Sequence, residues 1–414
     1  MSILPDPIAR HVERCARQPV ARDAVSNKKQ RNGLQRIGPQ RIGLQRVGPG
    51  WLVFAAALTL ISSTVLADQV TFRVEETKSP SGKDGKKKSV TKKRTVEGEV
   101  LVEAADGGVM LLADDGRIWT VQPDQLIERL PKPPPQPIDH DKMTRRLMAE
   151  YPGAFETFKT NNYLILYQGN EPYARHVAAL FESLHRAFFM YWQNQNVELE
   201  EPKYPLVALI LADHDAFIRH ATKEIGDTAS QVIGYYHLES NRMTTFRVPN
   251  LERNIATLIH EATHQLSYNC GLQTRFADNP MWVSEGMATF FEAPDFSNPR
   301  GWRGVGRVNQ VNLLRWNRYL GTRPSDSLVT LIADDSRFRS AATAEAAYAE
   351  AWALTYFLLK TKRDEFVDYL EGLADGEPLK SKTARQRIEE LEAALGCSIA
   401  ELDQQLVAFM RRVR

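Results

Sequence analysis

The chain has 414 residues, 43% of them apolar, with 53 Lys+Arg against 51 Asp+Glu. This composition excludes a wholly disordered or collagen-like chain, and the presence of only one long apolar run excludes a polytopic membrane protein. Three Cys exclude a disulfide-stapled scaffold and a Cys-rich zinc finger.

Charge is unevenly spread. Residues 1–50 hold ten of the basic and three of the acidic side chains, and residues 51–67 hold none. The remainder, 68–414, has 43 basic against 48 acidic residues and is mildly acidic. Global charge therefore gives no argument for nucleic-acid binding, and none is expected.

Gln35–Pro49 is a five-residue repeat rich in Gly, Pro and Arg that cannot bury a core. The apolar run Trp51–Ile61 is too short to span a bilayer, follows basic residues, and leads to Val65-Leu66-Ala67. That layout predicts a secretory signal peptide over 51–67, and so export to the periplasm, cell envelope or medium. No Met lies between Met1 and Met110. Residues 1–46 then read as a misannotated extension, with translation starting at a codon such as that of Val47. Export would leave Cys270 and Cys397, which are read as two separate thiols with pairing as the alternative.

Residues 68–130 predict a small all-β module. Val70–Val74, Thr95–Glu103, Val109–Leu112 and Ile118–Val121 are β-rich, and Asp106-Gly107-Gly108 and Asp114-Asp115-Gly116 are turn signals. A small barrel or curled sheet is expected. Lys83–Arg94 carries seven positive residues. It reads as a solvated hairpin loop, with contact to an anionic envelope polymer as the alternative. Pro131–Pro137 predicts a stiff linker over 131–139, ahead of a second domain at 140–414.

In that domain Tyr163–Tyr167, Pro205–Ala212, Gly234–Tyr236 and Met243–Val248 read as strands. His176–Trp192, Leu251–Leu266, Trp282–Phe291, Thr343–Lys360, Asp364–Leu373, Ala384–Ala394 and Ile399–Val413 read as helices. The class is α+β, with a mixed α/β lobe followed by a helical lobe.

His260-Glu261-Ala262-Thr263-His264 lies within the predicted helix 251–266, after an Asn250 N-cap. Positions i and i+4 share a helix face, so both imidazoles can reach one metal ion. Glu261 stands beside it as a general base. Zinc suits such a set and takes a third protein ligand, leaving one position open. Glu285, at the start of the next helix and flanked by Gly286, is the favoured third ligand. Asp278 and Glu292 are rivals. With Glu285 in place, Asp278 becomes a candidate partner for a ligand imidazole.

This phrase, with Glu285-Gly286-Met287-Ala288, resembles the gluzincin metallopeptidases, in particular an uncharacterised secreted bacterial group of peptidase-MA-like proteins, domain of unknown function 1570. The resemblance covers roughly 163–359 and implies a zincin-like domain. It also implies an oxyanion-stabilising Tyr on a later helix. Tyr348 fits that pattern, with Tyr356 and His237 as fallbacks. The strand pair in 234–248 would be the cleft edge that binds substrate backbone. The aminopeptidase phrase that holds a free α-amino group is missing, although Glu239 is a distant substitute. Ser284 also replaces the usual Asn, which puts exopeptidase activity in doubt.

The expectation is an exported zinc peptidase acting on peptides or proteins. His260, His264 and Glu285 would be its metal ligands, Glu261 its base and Tyr348 its oxyanion donor. The alternatives are a non-catalytic envelope-binding protein on the same scaffold and a zinc hydrolase of a non-peptide substrate.

Overall fold

The computed structural model describes residues 66–78, 88–151, 153–293, 302 and 305–414. The repeat, nearly all of the apolar run and Lys83–Lys87 lie outside the described residues. None of the described helices is long and apolar enough to cross a membrane.

The N-terminal strands are β1 (Ala67–Lys78), β2 (Lys88–Glu103), β3 (Val109–Ala113), β4 (Ile118–Val121) and β5 (Leu126–Lys132). They form one antiparallel sheet in the order β4-β3-β2-β1-β5. Val70, Phe72, Val109, Leu111 and Val121 give it a core of its own. The expected barrel is not found, because no ladder joins β4 to β5 among the described residues. The outward N–H of Ile118 on β4 donates instead to the carbonyl of Glu239, at 2.8 Å. A turn around residue 239 thus covers the edge that closure would need. Lys88–Arg94 is strand rather than loop, paired with Phe72–Lys78. The strand β5 was not anticipated, and it takes in Pro131 and Lys132, opposite Asp68 and Ala67.

Ile138 N–H donates to Asp114 O at 2.9 Å, and Arg146 of α1 (His140–Glu150) pairs with Asp114. The module and the following chain lie in one compact unit. Cys270 is buried, and neither it nor Cys397 is in a disulfide.

The second sheet comprises β6 (Glu156–Lys159), β7 (Tyr163–Tyr167), β8 (Leu206–Leu211), β9 (Gly234–His237) and β10 (Arg242–Phe246), in the order β6-β7-β8-β10-β9. Its centre, β7-β8-β10, is parallel, and both edges are antiparallel. Alternation decides which face each residue takes. Tyr163, Ile165, Leu206, Ala208 and Ile210 join one core with α2 (Glu171–Gln193). Leu164, Leu166, Val207, Leu209 and Leu211 join another with α1 and α3 (His214–Ile225). Strands buried on both faces read as unbroken apolar runs, and β7 and β8 are such runs.

The chain then turns helical: α4 (Leu251–Asn269), α5 (Met281–Phe291), α6 (Gln310–Leu320), α7 (Ser327–Ala333), α8 (Ser336–Arg339), α9 (Ala344–Thr361), α10 (Arg363–Ala374), α11 (Ala384–Leu395) and α12 (Ile399–Met410). Asn250 caps α4, its side chain accepting from Arg253 N–H at 2.8 Å. The rotation of α4 on the sheet is fixed by Gln265, whose buried amide donates to Val207 O and Asn241 O, each at 3.1 Å.

Every residue of α5 is buried, and α9 is nearly so. Their contact depends on Gly286. A Cβ there would fall 2.2 Å from Thr355 Oγ1 and 2.8 Å from Ala351 O. The register of α9 is also pinned by Glu350, fully buried between Arg323 (2.6 Å) and Arg337 (2.8 Å). Arg323 reaches on to Asp403 of α12.

Gly286→Ala should therefore push α5 and α9 apart and cost about 1–3 kcal/mol by overpacking. Thermal melts should show partial recovery in Gly286→Ala/Thr355→Ala, because only the side-chain clash is removed. An unchanged melting temperature for the single variant would contradict this packing.

Candidate metal centre

The two helix faces meet at three side chains. His260 and His264 stand one turn apart on α4, and Glu285 projects from α5. His260 Nε2 lies 3.1 Å from His264 Nε2 and 3.0 Å from Glu285 Oε2. His264 Nε2 is 3.7 Å from the same carboxylate oxygen. One ligand atom from each lies within 4.8 Å of the others, and all three residues are buried.

Two observations make this cluster fit a cation. Glu285 Oε1 is buried without a hydrogen-bond partner. Two imidazole nitrogens also face each other across a carboxylate, an arrangement in which one shared positive ion serves all three. Without a metal, a proton takes that role. Burial opposes charge on His260, but hydrogen bonds with Glu285 and Glu292 prevail and push it up to about 10. Burial likewise opposes charge on Glu285, but the His264 and His260 imidazoles hold it at about 2.

Glu292 is not brought to the cluster as a ligand. Its Oε2 lies 2.8 Å from His260 Nδ1, the nitrogen facing away from the cluster. That contact fixes which ring nitrogen is free to bind metal. Its other oxygen accepts from Asn309 Nδ2 at 3.0 Å, and Asn309 also caps α6. Glu292 follows Glu285 by seven residues, two turns along one helical face, so periodicity alone placed it near the site.

Asp278, the sequence candidate for that partner, lies elsewhere. It pairs with Arg387 and accepts from Lys382 N–H, tying the loop before α5 to α11. Glu239 contributes its backbone carbonyl to the β4 edge. Tyr356 packs against Phe290, Trp352 and Phe409. His237 contacts Ser240 at the β9–β10 turn. None of these last three lines the cleft.

The cleft is a cavity of about 280 Å³ whose lining includes His260, Glu261, Glu292 and Tyr348. Glu261 is buried, and its Oε2 accepts from the backbone N–H of Tyr236 at 2.8 Å. Tyr236 lies on β9, the edge strand, so the base and the strand edge adjoin. Gly234 permits this approach, since a Cβ there would sit 3.1 Å from Thr257 Cγ2 of α4. The Tyr348 phenol is buried; burial and the nearby Glu285 and Glu261 carboxylates raise it well above its ordinary range. It stays protonated and remains a donor.

Known proteins give a limited frame. A family described as a protein of unknown function (DUF1570) matches residues 254–380, a span that holds His260, Glu261, His264, Glu285, Glu292 and Tyr348. No curated protein matches the chain. Among solved structures, a mutant M1 zinc metallopeptidase from Deinococcus radiodurans is 13% identical, with a TM-score of 0.34. That likeness covers 84% of this chain and 62% of the other. The M1 zinc metallopeptidase from the same organism is similar at 12% identity and TM-score 0.34, over 84% of this chain and 85% of the other.

Zinc affinity, measured by competition with a chelating dye, should rise from pH 6 to pH 9. The metal must displace a proton that His260 keeps up to about 10, so removing protons tightens binding. Glu292→Ala should bind about 10–100-fold more weakly at pH 9, with a shallower rise. Equal affinity and slope in the two proteins would contradict the role of Glu292.

Proposed function

We propose that this chain is an exported zinc-dependent peptidase. The observation that carries the reading is the buried two-His, one-carboxylate cluster, with Glu261 beside it in the cleft and against the edge strand. Two nitrogens and one oxygen, leaving one position open, are the donor set of a catalytic zinc. Bound zinc would supply Lewis acidity toward a substrate carbonyl and would acidify a water. The apolar run 51–67 supports export.

The remaining work belongs to this chain's own residues. Glu261 Oε2 is held by Tyr236 N–H, which fixes the position of the carboxylate that accepts the water proton. The same carboxyl then returns that proton to the leaving amine. Tyr348 donates its phenolic proton in a hydrogen bond to the developing oxyanion, from a buried position where such a donor is worth most. Glu292, held by Asn309, orients His260. The edge strand β9 adjoins the base, and an extended peptide would run beside it.

Quenched fluorescent peptide pools test this reading. The zinc-loaded protein should cleave, and Glu261→Gln should keep its metal while turnover falls about 10²–10⁴-fold. Tyr348→Phe should keep its metal and lower kcat by about 10²–10³-fold. Equal turnover in the wild type and Glu261→Gln would sink the proposal.

A further inference from the structure

The cleft wall beyond the metal centre is positively charged. Its lining includes two arginines, Arg253 on α4 and Arg315 on α6. The carboxylates among the lining residues are Glu261 and Glu292, and both are engaged at the metal centre. Among the described residues neither guanidinium meets a carboxylate. The nearest side-chain contact of Arg315 is Asn312 Oδ1, at 3.5 Å. Arg253 is exposed and Arg315 is half-buried. Three buried arginines elsewhere are paired: Arg242 with Glu150, Arg323 with Glu350, Arg387 with Asp335. The two in the cleft have no such partner among the described residues, and both are open to it.

Their position sets a distance. Arg253 precedes His260 by seven residues, so it lies two turns away on the same face of α4, roughly 10 Å along the axis. An extended peptide covers that span in about three residues. Asn250 and Asn312 line the same region and add neutral hydrogen-bonding groups.

We infer that this wall selects peptides bearing a carboxylate about three residues from the scissile bond, which Arg253 and Arg315 clamp. The carboxylate is either an acidic side chain or a free C-terminus. This deepens the peptidase reading by naming a substrate class, and it rests on that reading only for the word substrate. Guanidinium groups bind carboxylates through parallel N–H donors, which gives direction as well as attraction.

The test separates binding from turnover. Zinc-loaded Glu261→Gln is titrated with decapeptides labelled with an uncharged dye, and fluorescence anisotropy is followed. Three probes are used: a neutral Ala/Leu/Gly peptide amide, the same amide carrying one Glu, and the neutral peptide with a free carboxylate. At least one anionic probe should bind about tenfold or more tightly than the neutral amide, with the advantage fading as salt rises. Which of the two does so identifies the source of the carboxylate. Adding Arg253→Ala and Arg315→Ala should abolish the advantage. Arg253→Glu with Arg315→Glu, checked for folding by thermal melt, should turn the preference to a Lys-bearing amide. Equal binding of all three probes would overturn the inference even if the wild type cleaves peptides. So would a preference that survives the double Ala substitution. Charge-selective binding with no cleavage of any peptide by the wild type would uphold the inference and defeat the peptidase reading instead.

Discussion

Glu285 is a carboxylate with no exposure to solvent. A charge in that position is costly unless a positive partner sits against it. The two imidazoles of α4 are that partner, and the packing of α4, α5 and α9 brings them together. Gly286 lets α5 approach α9 closely enough to bury Glu285. Gln265 fixes the rotation of α4, so that His260 and His264 face inward. Glu350 and its two arginines hold α9, placing Tyr348 over the same point. Remove the need for a shared cation and these constraints lose their common purpose.

The cluster answers to a proton or to a metal, and the two states differ in use. With a proton, His260 and Glu285 form a buried ion pair, held against the cost of burial by their mutual hydrogen bond and by Glu292. With a metal, both ring nitrogens and the carboxylate oxygen turn to one centre, and the orphaned Glu285 Oε1 gains a partner within reach. Only the second state gives Glu261 a substrate-facing task. In the proposed peptidase, its hydrogen bond to the edge-strand backbone would tie the base to the strand beside which a peptide would run.

Much of this was legible in the sequence. The i, i+4 spacing of His260 and His264 and the Asn250 cap stated a helix face and its chemistry together. Glu285 was legible because a small residue follows it. What was missed depends on long-range contact. Helices α1, α3 and α6 do carry an amphipathic period but are only eleven or twelve residues long and were passed over, while α7, α8, β5 and β6, at seven residues or fewer, are too short to show one. Asp278 and Glu292 were both plausible carboxylates, and sequence spacing could not say that Arg387 claims one and His260 the other. Sequence could not choose between barrel and curled sheet for the same reason: the edge of β4 is met by Glu239, more than a hundred residues away. The two cleft arginines carried no signal in sequence, since only the fold brings α4 and α6 to one cavity.

The account stands or falls on whether the cluster binds metal. Native mass spectrometry of protein purified without chelators measures this directly, with His264→Ala as the control. One zinc per chain in the wild type, and none in a folded His264→Ala variant, is the predicted result. A folded wild-type protein that carries no metal even after expression with added zinc would contradict it, and the His–Glu cluster would then be a buried ion pair and nothing more.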